Sequence, residues 1–177
     1  MKFIIGSDIH GSKARVQKLL DRFYAEKGDK LILLGDIYNH GPRNPLPEEY
    51  APMQVAELLN EITDKLIVIK GNCDSEVDAM ISRFDFLEGL CIVSGNKSVF
   101  CTHGHVYNRE NPPKTAFDAV VYGHFHTSFI TKENGVIYAN PGSVSLPKGG
   151  TLPAYIVLEE GAFTLKDLDG NVISENR

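Results

Sequence analysis

Short apolar runs alternate with amphipathic segments through the first half of this 177-residue chain, and the alternation limits the folds open to it. Residues 2–7 form an apolar run stopped by polar residues, which predicts a buried strand. Residues 12–26 carry apolar side chains at spacings of three and four behind Ser12, a suitable N-cap, which predicts an amphipathic helix. By the same reasoning, strands are predicted at 31–34 and 66–69, and helices at 52–62 and 74–84.

The second half of the chain is dominated by pairs of strands. Asn134-Gly135 separates two short apolar runs, which is a strong hairpin signal, and Gly95-Asn96 separates two others. A βαβαβ start followed by hairpins predicts an α/β fold in which two sheets pack together with helices outside, in one domain of residues 1–177. The strands predicted here are 91–93, 98–102, 119–122, 129–131, 136–139, 154–158, 162–167 and 172–174.

Composition and charge exclude several classes of protein. Hydrophobic residues make up 42% of the chain and charged residues 23%, which excludes a disordered or collagen-like chain. The formal net charge is −5. Nucleic-acid coats and binders of anionic membranes need positive charge, so we expect no stable nucleic-acid complex and no membrane partner. No apolar stretch approaches the roughly 18–20 residues needed to span a bilayer.

The number and spacing of the cysteines indicate the cellular compartment of the protein. Cys73, Cys91 and Cys101 are odd in number and fit neither a disulfide framework nor a zinc-finger spacing. Asp8 interrupts the first apolar run too early for the apolar core of a signal peptide. We therefore expect a cytoplasmic protein.

Polar residues follow five of the predicted strands and form an unusual set. The carboxyl ends of parallel strands share one edge of an α/β sheet, so these residues are expected to meet there. Any one segment alone could be a helix cap, a turn former or a partner for the backbone, but all five together favour a site. The segments are Asp8-Ile9-His10, Gly35-Asp36, Gly71-Asn72-Cys73-Asp74, Thr102-His103-Gly104-His105 and Gly123-His124-Phe125-His126.

The donor groups in these segments predict a site for two metal ions. Imidazole nitrogen mixed with carboxylate oxygen suits Mn, Fe, Co, Ni or Zn better than Ca. Two ions held ~3.5–4 Å apart form the clamp used for phosphoryl displacement. Asp36 follows the central strand and is the natural bridging carboxylate. On an extended segment the rings of His124 and His126 would point to opposite sides and serve different ions.

The order and spacing of the segments resemble the calcineurin-like metallophosphoesterase superfamily. The family pattern is Asp-x-His, Gly-Asp-x4-Gly, Gly-Asn-His-Asp, His-Gly-His and Gly-His-x-His, and the chain follows it from Asp8 to His126 with Cys73 in place of one histidine. The segments 39–44 and 140–143 are similar to those of small bacterial YfcE-type phosphodiesterases. The resemblance implies a four-layer α/β/β/α sandwich of two packed mixed sheets with flanking helices.

The resemblance also implies ligand roles and a mechanism. A hydroxide bridging the ions would attack phosphorus in line, with the ions neutralising the phosphate oxygens. Mn²⁺ is the expected metal, with Zn²⁺, Ni²⁺, Fe²⁺ or Co²⁺ as alternatives, and the chain is expected to be able to form a homodimer or homotetramer. One ion would take Asp8, His10, Asp36 and His126, and the other Asp36, Asn72, His103 and His124.

Cys73 and Arg43 each have two possible roles. Cys73 stands where the family has a histidine thought to orient phosphate or protonate the leaving group, so it is a candidate for catalysis and substrate binding, or a small packing residue. Arg43 lies in a long loop, 36–51, of a length that is usually functional. Its guanidinium could bind a substrate phosphate or remain solvated. Asn72, another candidate for both substrate binding and catalysis, joins Asp36 and His103 in the expected catalytic set.

The function predicted from all of this is a metal-dependent phosphodiesterase acting on a small phosphodiester. A phosphomonoesterase using the same ions is the alternative among enzymes, because both reactions share the charge of the transition state. A metal-free interaction scaffold is the alternative from another class, and it is disfavoured because all the expected ligands are present.

Overall fold

Twelve strands and three helices are formed by residues 1–176, which are the residues described by the computed structural model. In chain order these elements are β1 (Lys2–Gly6), α1 (Lys13–Ala25), β2 (Lys30–Leu33), α2 (Pro52–Asn60), β3 (Leu66–Ile69), α3 (Glu76–Ile81), β4 (Phe86–Leu87), β5 (Leu90–Ser94), β6 (Lys97–Thr102), β7 (Ala119–Tyr122), β8 (Ser128–Glu133), β9 (Val136–Pro141), β10 (Ala154–Glu159), β11 (Ala162–Asp167) and β12 (Val172–Asn176). No helix within this part of the chain is both long enough and apolar enough to cross a membrane.

The strands form two mixed sheets. The larger sheet has the order β12-β11-β10-β1-β2-β3-β4, and the smaller has the order β5-β6-β7-β9-β8. In the larger sheet β1, β2 and β3 run parallel, joined through α1 and α2, and β10 continues the sheet antiparallel to β1. In the smaller sheet β6, β7 and β9 are parallel. Each sheet therefore has several parallel strands that end at one edge.

Two apolar cores hold the layers together. Side chains of α1 and α2, including Leu19, Phe23 and Leu59, pack on one face of the larger sheet. The opposite face of that sheet packs against the smaller sheet, where Ile5 and Val121 are fully buried. The predicted α/β class with two packed mixed sheets and flanking helices is confirmed.

The outer face of the smaller sheet is covered without a helix. Residues 103–118 contain no regular element within the described chain, and this segment lies over the sheet through Tyr107 and Phe117, which pack on Phe100. Non-helical coil thus takes the place of the second helical layer that the four-layer arrangement implied.

The predicted elements are confirmed, with differences at α3 and β4. The α3 helix spans six residues and begins later than predicted, because the Asp74 carboxylate is bonded to backbone N–H groups and Ser75 caps the helix. Sequence reasoning missed β4, which has two residues, too few for a periodic signal. In the β8–β9 hairpin, Asn134 and Gly135 both have positive φ, as the turn signal requires.

Candidate metal centre

Five loops bring the predicted residues to one edge of the molecule. Asp8, Asp36 and Asn72 lie just beyond the carboxyl ends of β1, β2 and β3. His103 and His124 lie just beyond β6 and β7 of the smaller sheet, which are parallel neighbours. Because the two sheets are packed face to face, carboxylates from one sheet meet imidazoles from the other. This edge is the place expected for a ligand.

Five of the residues at this edge have left-handed backbones. Their φ values lie between 50° and 66°, a region that non-glycine residues rarely adopt. Such strain persists only where surrounding structure holds it, and it is concentrated at functional sites. The residues are Asp8, His10, Asp36, His124 and His126.

The first cluster of donor atoms is formed by Asp8, His10 and His126, all of which are buried. Asp8 Oδ1 lies 3.3 Å from His126 Nε2 and 3.8 Å from His10 Nε2. The two Nε2 atoms are 3.1 Å apart. Asp8 Oδ1 is buried and has no hydrogen-bond partner among residues 1–176. This oxygen and both nitrogens therefore point at the same small volume.

The second cluster forms around Asp36. Its Oδ1 lies 3.5 Å from His103 Nε2, and its Oδ2 lies 3.8 Å from His10 Nε2 in the first cluster. Asn72 Oδ1 lies 3.0 Å from His103 Nε2. The His124 ring lies beside the His103 ring, with centroids 5.1 Å apart. The two oxygens of Asp36 thus face different clusters, and Oδ1 also accepts a hydrogen bond of 2.8 Å from the Cys73 backbone N–H.

The tautomers of three histidines are set by backbone carbonyl groups. The Nδ1 atoms of His10, His103 and His126 lie 2.6–2.7 Å from the carbonyl oxygens of Asn39, Leu34 and Leu146. A carbonyl can only accept, so Nδ1 donates and each neutral ring keeps its lone pair on Nε2. These lone pairs face carboxylate oxygens, an amide oxygen and one another. Buried acceptors that converge without a donor fit divalent cations well.

Burial favours the neutral form of two of the imidazoles, which is the form that binds metal. It lowers the pKa of His10 below the usual value. It also lowers the pKa of His124, with the neighbouring His103 acting in the same direction. For Asp8, burial alone would raise the pKa, but His126, His103 and Ser7 hold it below the usual value. The centre therefore offers neutral nitrogens beside an ionised carboxylate.

The Asp74 carboxylate holds the Asp36 loop in place. Its oxygens accept hydrogen bonds of 2.7–2.8 Å from the backbone N–H groups of Asp36, Ile37 and Gly71. Burial raises the pKa of Asp74 to about 6. A Cβ on Gly71 would collide with the Asp36 carboxylate, so only glycine fits there. Sequence reasoning quoted Asp74 within its motif but gave it no role.

Hydroxyl groups fix Asp8, and sequence reasoning missed them also. Ser7 Oγ donates to Asp8 Oδ2 at 2.6 Å, and the backbone N–H of His124 donates to the same oxygen at 3.0 Å. Ser143 and Ser145 donate to the Asp8 backbone carbonyl at 2.6 and 3.0 Å. Oδ1 is consequently the oxygen left to face the histidines. In the sequence, the only notable feature of the segment 140–143 was its similarity to YfcE-type phosphodiesterases.

The rings of His124 and His126 diverge, but for a different reason from the one expected. The expectation assumed an extended segment, whereas both residues have left-handed backbones with φ of 66° and 61°. The backbone turn directs His126 to His10 and His124 to His103, with ring centroids 5.0 and 5.1 Å apart. The two rings therefore lie beside different histidines.

Comparisons with known proteins identify the family. The model of the calcineurin-like phosphoesterase superfamily domain matches residues 1–162. The chain belongs to the calcineurin-like phosphoesterase superfamily. It is 42% identical to phosphodiesterase YfcE of Escherichia coli K12, over 99% of this chain and 97% of that one. It is 28% identical to the probable metallophosphoesterase YsnB of Bacillus subtilis, over 99% of this chain and 96% of that one.

The fold matches that of a solved phosphoesterase of the superfamily. The structure of YfcE, described as a phosphoesterase from E. coli, superposes with a TM-score of 0.94 at 40% identity, covering 99% of this chain and 98% of that one. The predicted membership of the calcineurin-like superfamily, and the likeness to YfcE, are confirmed. Metallophosphoesterases act through divalent metal ions, which agrees with the converging acceptors described above.

A cleft of about 800 Å³ opens onto the centre of this calcineurin-like phosphoesterase. Cys73 lies in the cleft wall, half-buried, and Asn72 Nδ2 donates to its sulfur at 3.4 Å. Burial, together with the Asp36 carboxylate, raises the pKa of the Cys73 thiol to about 12. Arg43 also lines the cleft, as do two residues to which sequence reasoning gave no binding role, Phe125 and Lys148. Cys73 and Arg43 therefore lie in the wall of the same cleft.

Proposed function

We propose that this chain is a phosphodiesterase that works with two divalent metal ions. One ion would be held by Asp8, His10, Asp36 and His126, and the other by Asp36, Asn72, His103 and His124. The substrate would be a small phosphodiester, cleaved to a phosphomonoester and an alcohol. Residues 1–177 would act as one domain, in the cytoplasm, as a homodimer or homotetramer.

The observation that carries this proposal is the arrangement of the three histidines whose Nδ1 atoms are committed to backbone carbonyls. Their Nε2 lone pairs converge with Asp8 Oδ1, which has no hydrogen-bond partner in the described chain, and with both oxygens of Asp36, of which Oδ1 accepts one bond from the Cys73 backbone N–H. Two adjacent clusters joined by one carboxylate suit two ions. The 42% identity to a protein named phosphodiesterase supports the choice of reaction.

Bound at this place, two divalent ions would activate a water molecule and neutralise charge on the phosphate oxygens. The protein's own part is to hold the donors rigidly. Backbone carbonyls fix the histidine rings, and Asp74 and Ser7 fix the two aspartates. Asn72 and Arg43 line the cleft; Asn72 would bind the phosphate, and Arg43 would bind the substrate from the cleft wall. Mn²⁺ is the proposed metal, because mixed imidazole and carboxylate donors suit it.

Cleavage of matched esters by metal-stripped protein tests this function. Bis(p-nitrophenyl) phosphate and p-nitrophenyl phosphate would be assayed after chelation and then after adding Mn²⁺, Zn²⁺, Ni²⁺, Co²⁺ or Mg²⁺. We expect no activity without metal and diester cleavage restored best by Mn²⁺. Preferential cleavage of the monoester would show a phosphomonoesterase. Failure to bind any of these metals would indicate a scaffold.

A further inference from the structure

Two basic side chains stand in the wall of the cleft without a partner. Arg43 and Lys148 are both exposed, and neither side chain forms an ion pair or hydrogen bond within residues 1–176. Asp36 is the one acidic residue among those that line the cleft, and its carboxylate faces the histidines. In a chain with a net charge of −5, the cleft wall beyond the metal centre is therefore locally positive.

The backbone ties both basic residues to the histidines of the first cluster. The carbonyl of Asn39 accepts from His10 Nδ1, and its side-chain oxygen accepts from Gly41 N at 2.8 Å, two residues before Arg43. On the other side, Lys148 N donates to the carbonyl of His126 at 2.8 Å. The segments that orient the imidazoles thus also anchor the backbone from which the two cations extend.

A simple phosphodiester does not account for these cations. Its phosphate group carries one negative charge, which two divalent ions already neutralise. The cleft volume of about 800 Å³ leaves room beyond that phosphate. Two unpaired cations in the same cleft as the centre favour an additional anion in the same ligand, since opposite charges in a cleft lower the free energy of binding.

We propose that Arg43 and Lys148 select phosphodiesters that carry a further anionic group on one ester arm. The proposal rests on the proposed phosphodiesterase function. The anionic arm extends from the metal centre toward the mouth of the cleft, where the two cations bind it in the substrate complex and the transition state alike. The selection therefore appears in KM more than in kcat.

Three p-nitrophenyl diesters with one leaving group test this selection. Their other arms would be 3-carboxypropyl, butyl and choline, which are anionic, neutral and cationic. For the Mn²⁺-loaded protein we expect kcat/KM for the carboxylate arm to exceed that for the butyl arm by about tenfold. Each cation would contribute a factor of about three, which is the size expected for an exposed ion pair. The choline arm should be worst, and added salt should reduce the spread.

Substitutions at Arg43 and Lys148 test whether these two residues cause the preference for the anionic arm. Arg43→Gln and Lys148→Gln together should bring the ratio between carboxylate and butyl arms close to one, and each alone should lower it about threefold. The matched control is Lys18→Gln with Lys114→Gln, which removes the same charge from exposed sites outside the cleft. The control should keep the wild-type ratio.

The possible results distinguish a failure of the charge selection from a failure of the proposed phosphodiesterase function. Hydrolysis of all three diesters with equal kcat/KM would overturn the charge selection and leave the phosphodiesterase standing. A ratio that persists in the Arg43/Lys148 double variant would overturn the assignment to these residues. Absence of hydrolysis of every diester would overturn the phosphodiesterase function and the selection with it.

Discussion

His10 and His126 direct their Nε2 atoms at each other across 3.1 Å, although both atoms carry lone pairs. Backbone carbonyls at Asn39 and Leu146 hold both rings by the opposite nitrogen, so neither ring can turn to donate. Two acceptors this close are stabilised by a cation between or beside them.

Divalent metal should raise the stability of the protein without being needed for folding. The two apolar cores include none of the proposed metal ligands, so the chelated protein should keep its far-UV circular dichroism. Mn²⁺ at about one hundred times its Kd should add about 2.7 kcal/mol per site to the free energy of unfolding. Thermal unfolding with and without chelator measures both effects. An unfolded chelated protein would contradict the first, and an unchanged Tm the second.

Asp36→Asn should be the most damaging change to a single ligand. Asp36 faces both clusters, so losing its charge weakens two sites at once. We expect activity at limiting Mn²⁺ to fall by about a hundredfold or more, beyond the 10–100-fold typical of groups that only support ligands. Asn72→Ala, which affects one cluster, is the comparison and should be partly rescued by raised metal. Near wild-type turnover of Asp36→Asn would show that Asp36 is only a turn residue.

Asp74→Asn should weaken metal binding through Asp36. Asparagine has one acceptor oxygen where three N–H groups now bind the carboxylate, so at least one buried donor loses its partner. The loss should destabilise the protein by about 1–3 kcal/mol and lower Mn²⁺ affinity about tenfold or more. Calorimetric titration of Mn²⁺ together with urea unfolding measures both. Asp78→Asn, outside the cleft on α3, is the control and should keep wild-type Mn²⁺ affinity.

Cys73→His should improve cleavage of esters with poor leaving groups. Cys73 lies in the cleft wall, and a neutral thiol is a poor hydrogen-bond donor, so alkoxides depart without an acid. Histidine has a reference pKa of ~6.5 and could protonate them. We expect turnover on alkyl esters to rise several-fold more than on p-nitrophenyl esters, and Cys73→Ser to alter neither much. A constant ratio between the two ester types would indicate that Cys73 only packs.

Glu26 should contribute stability that acid removes. Burial alone would raise its pKa, but Lys166 Nζ at 2.7 Å and Tyr155 Oη at 2.8 Å hold the pKa below its usual value. A lowered folded-state pKa stabilises the protein above the unfolded value of ~4.3, and the stabilisation is lost as the pH falls through the folded value. Glu26→Gln should therefore cost about 1–2 kcal/mol at pH 7 and less at pH 3. Urea unfolding at both pH values, with exposed Glu57→Gln as control, measures this.

The order of the elements was predictable because it depends on local patterns. Apolar periodicity located the strands and helices, Ser12 capped α1 as expected, and Asn134-Gly135 formed its hairpin. The β4 strand and the late start of α3 were not predictable in the same way. The first depends on pairing with β3, and the second on hydrogen bonds that the Asp74 carboxylate accepts from a distant loop. Neither leaves a periodic signal in the chain.

The sequence by itself determined which polar groups form the centre. Five polar segments follow strands, and the carboxyl ends of parallel strands share an edge, where such segments can meet. Their chemistry was decided by the tertiary structure. Carbonyl groups at Leu34, Asn39 and Leu146 select the histidine tautomers, and a carbonyl is the same at every residue, so no sequence pattern marks them. The positions of Arg43 and Lys148 in one cleft wall were likewise decided by the tertiary structure. The two residues are 105 positions apart in the sequence, and only packing brings their loops to the same pair of histidines.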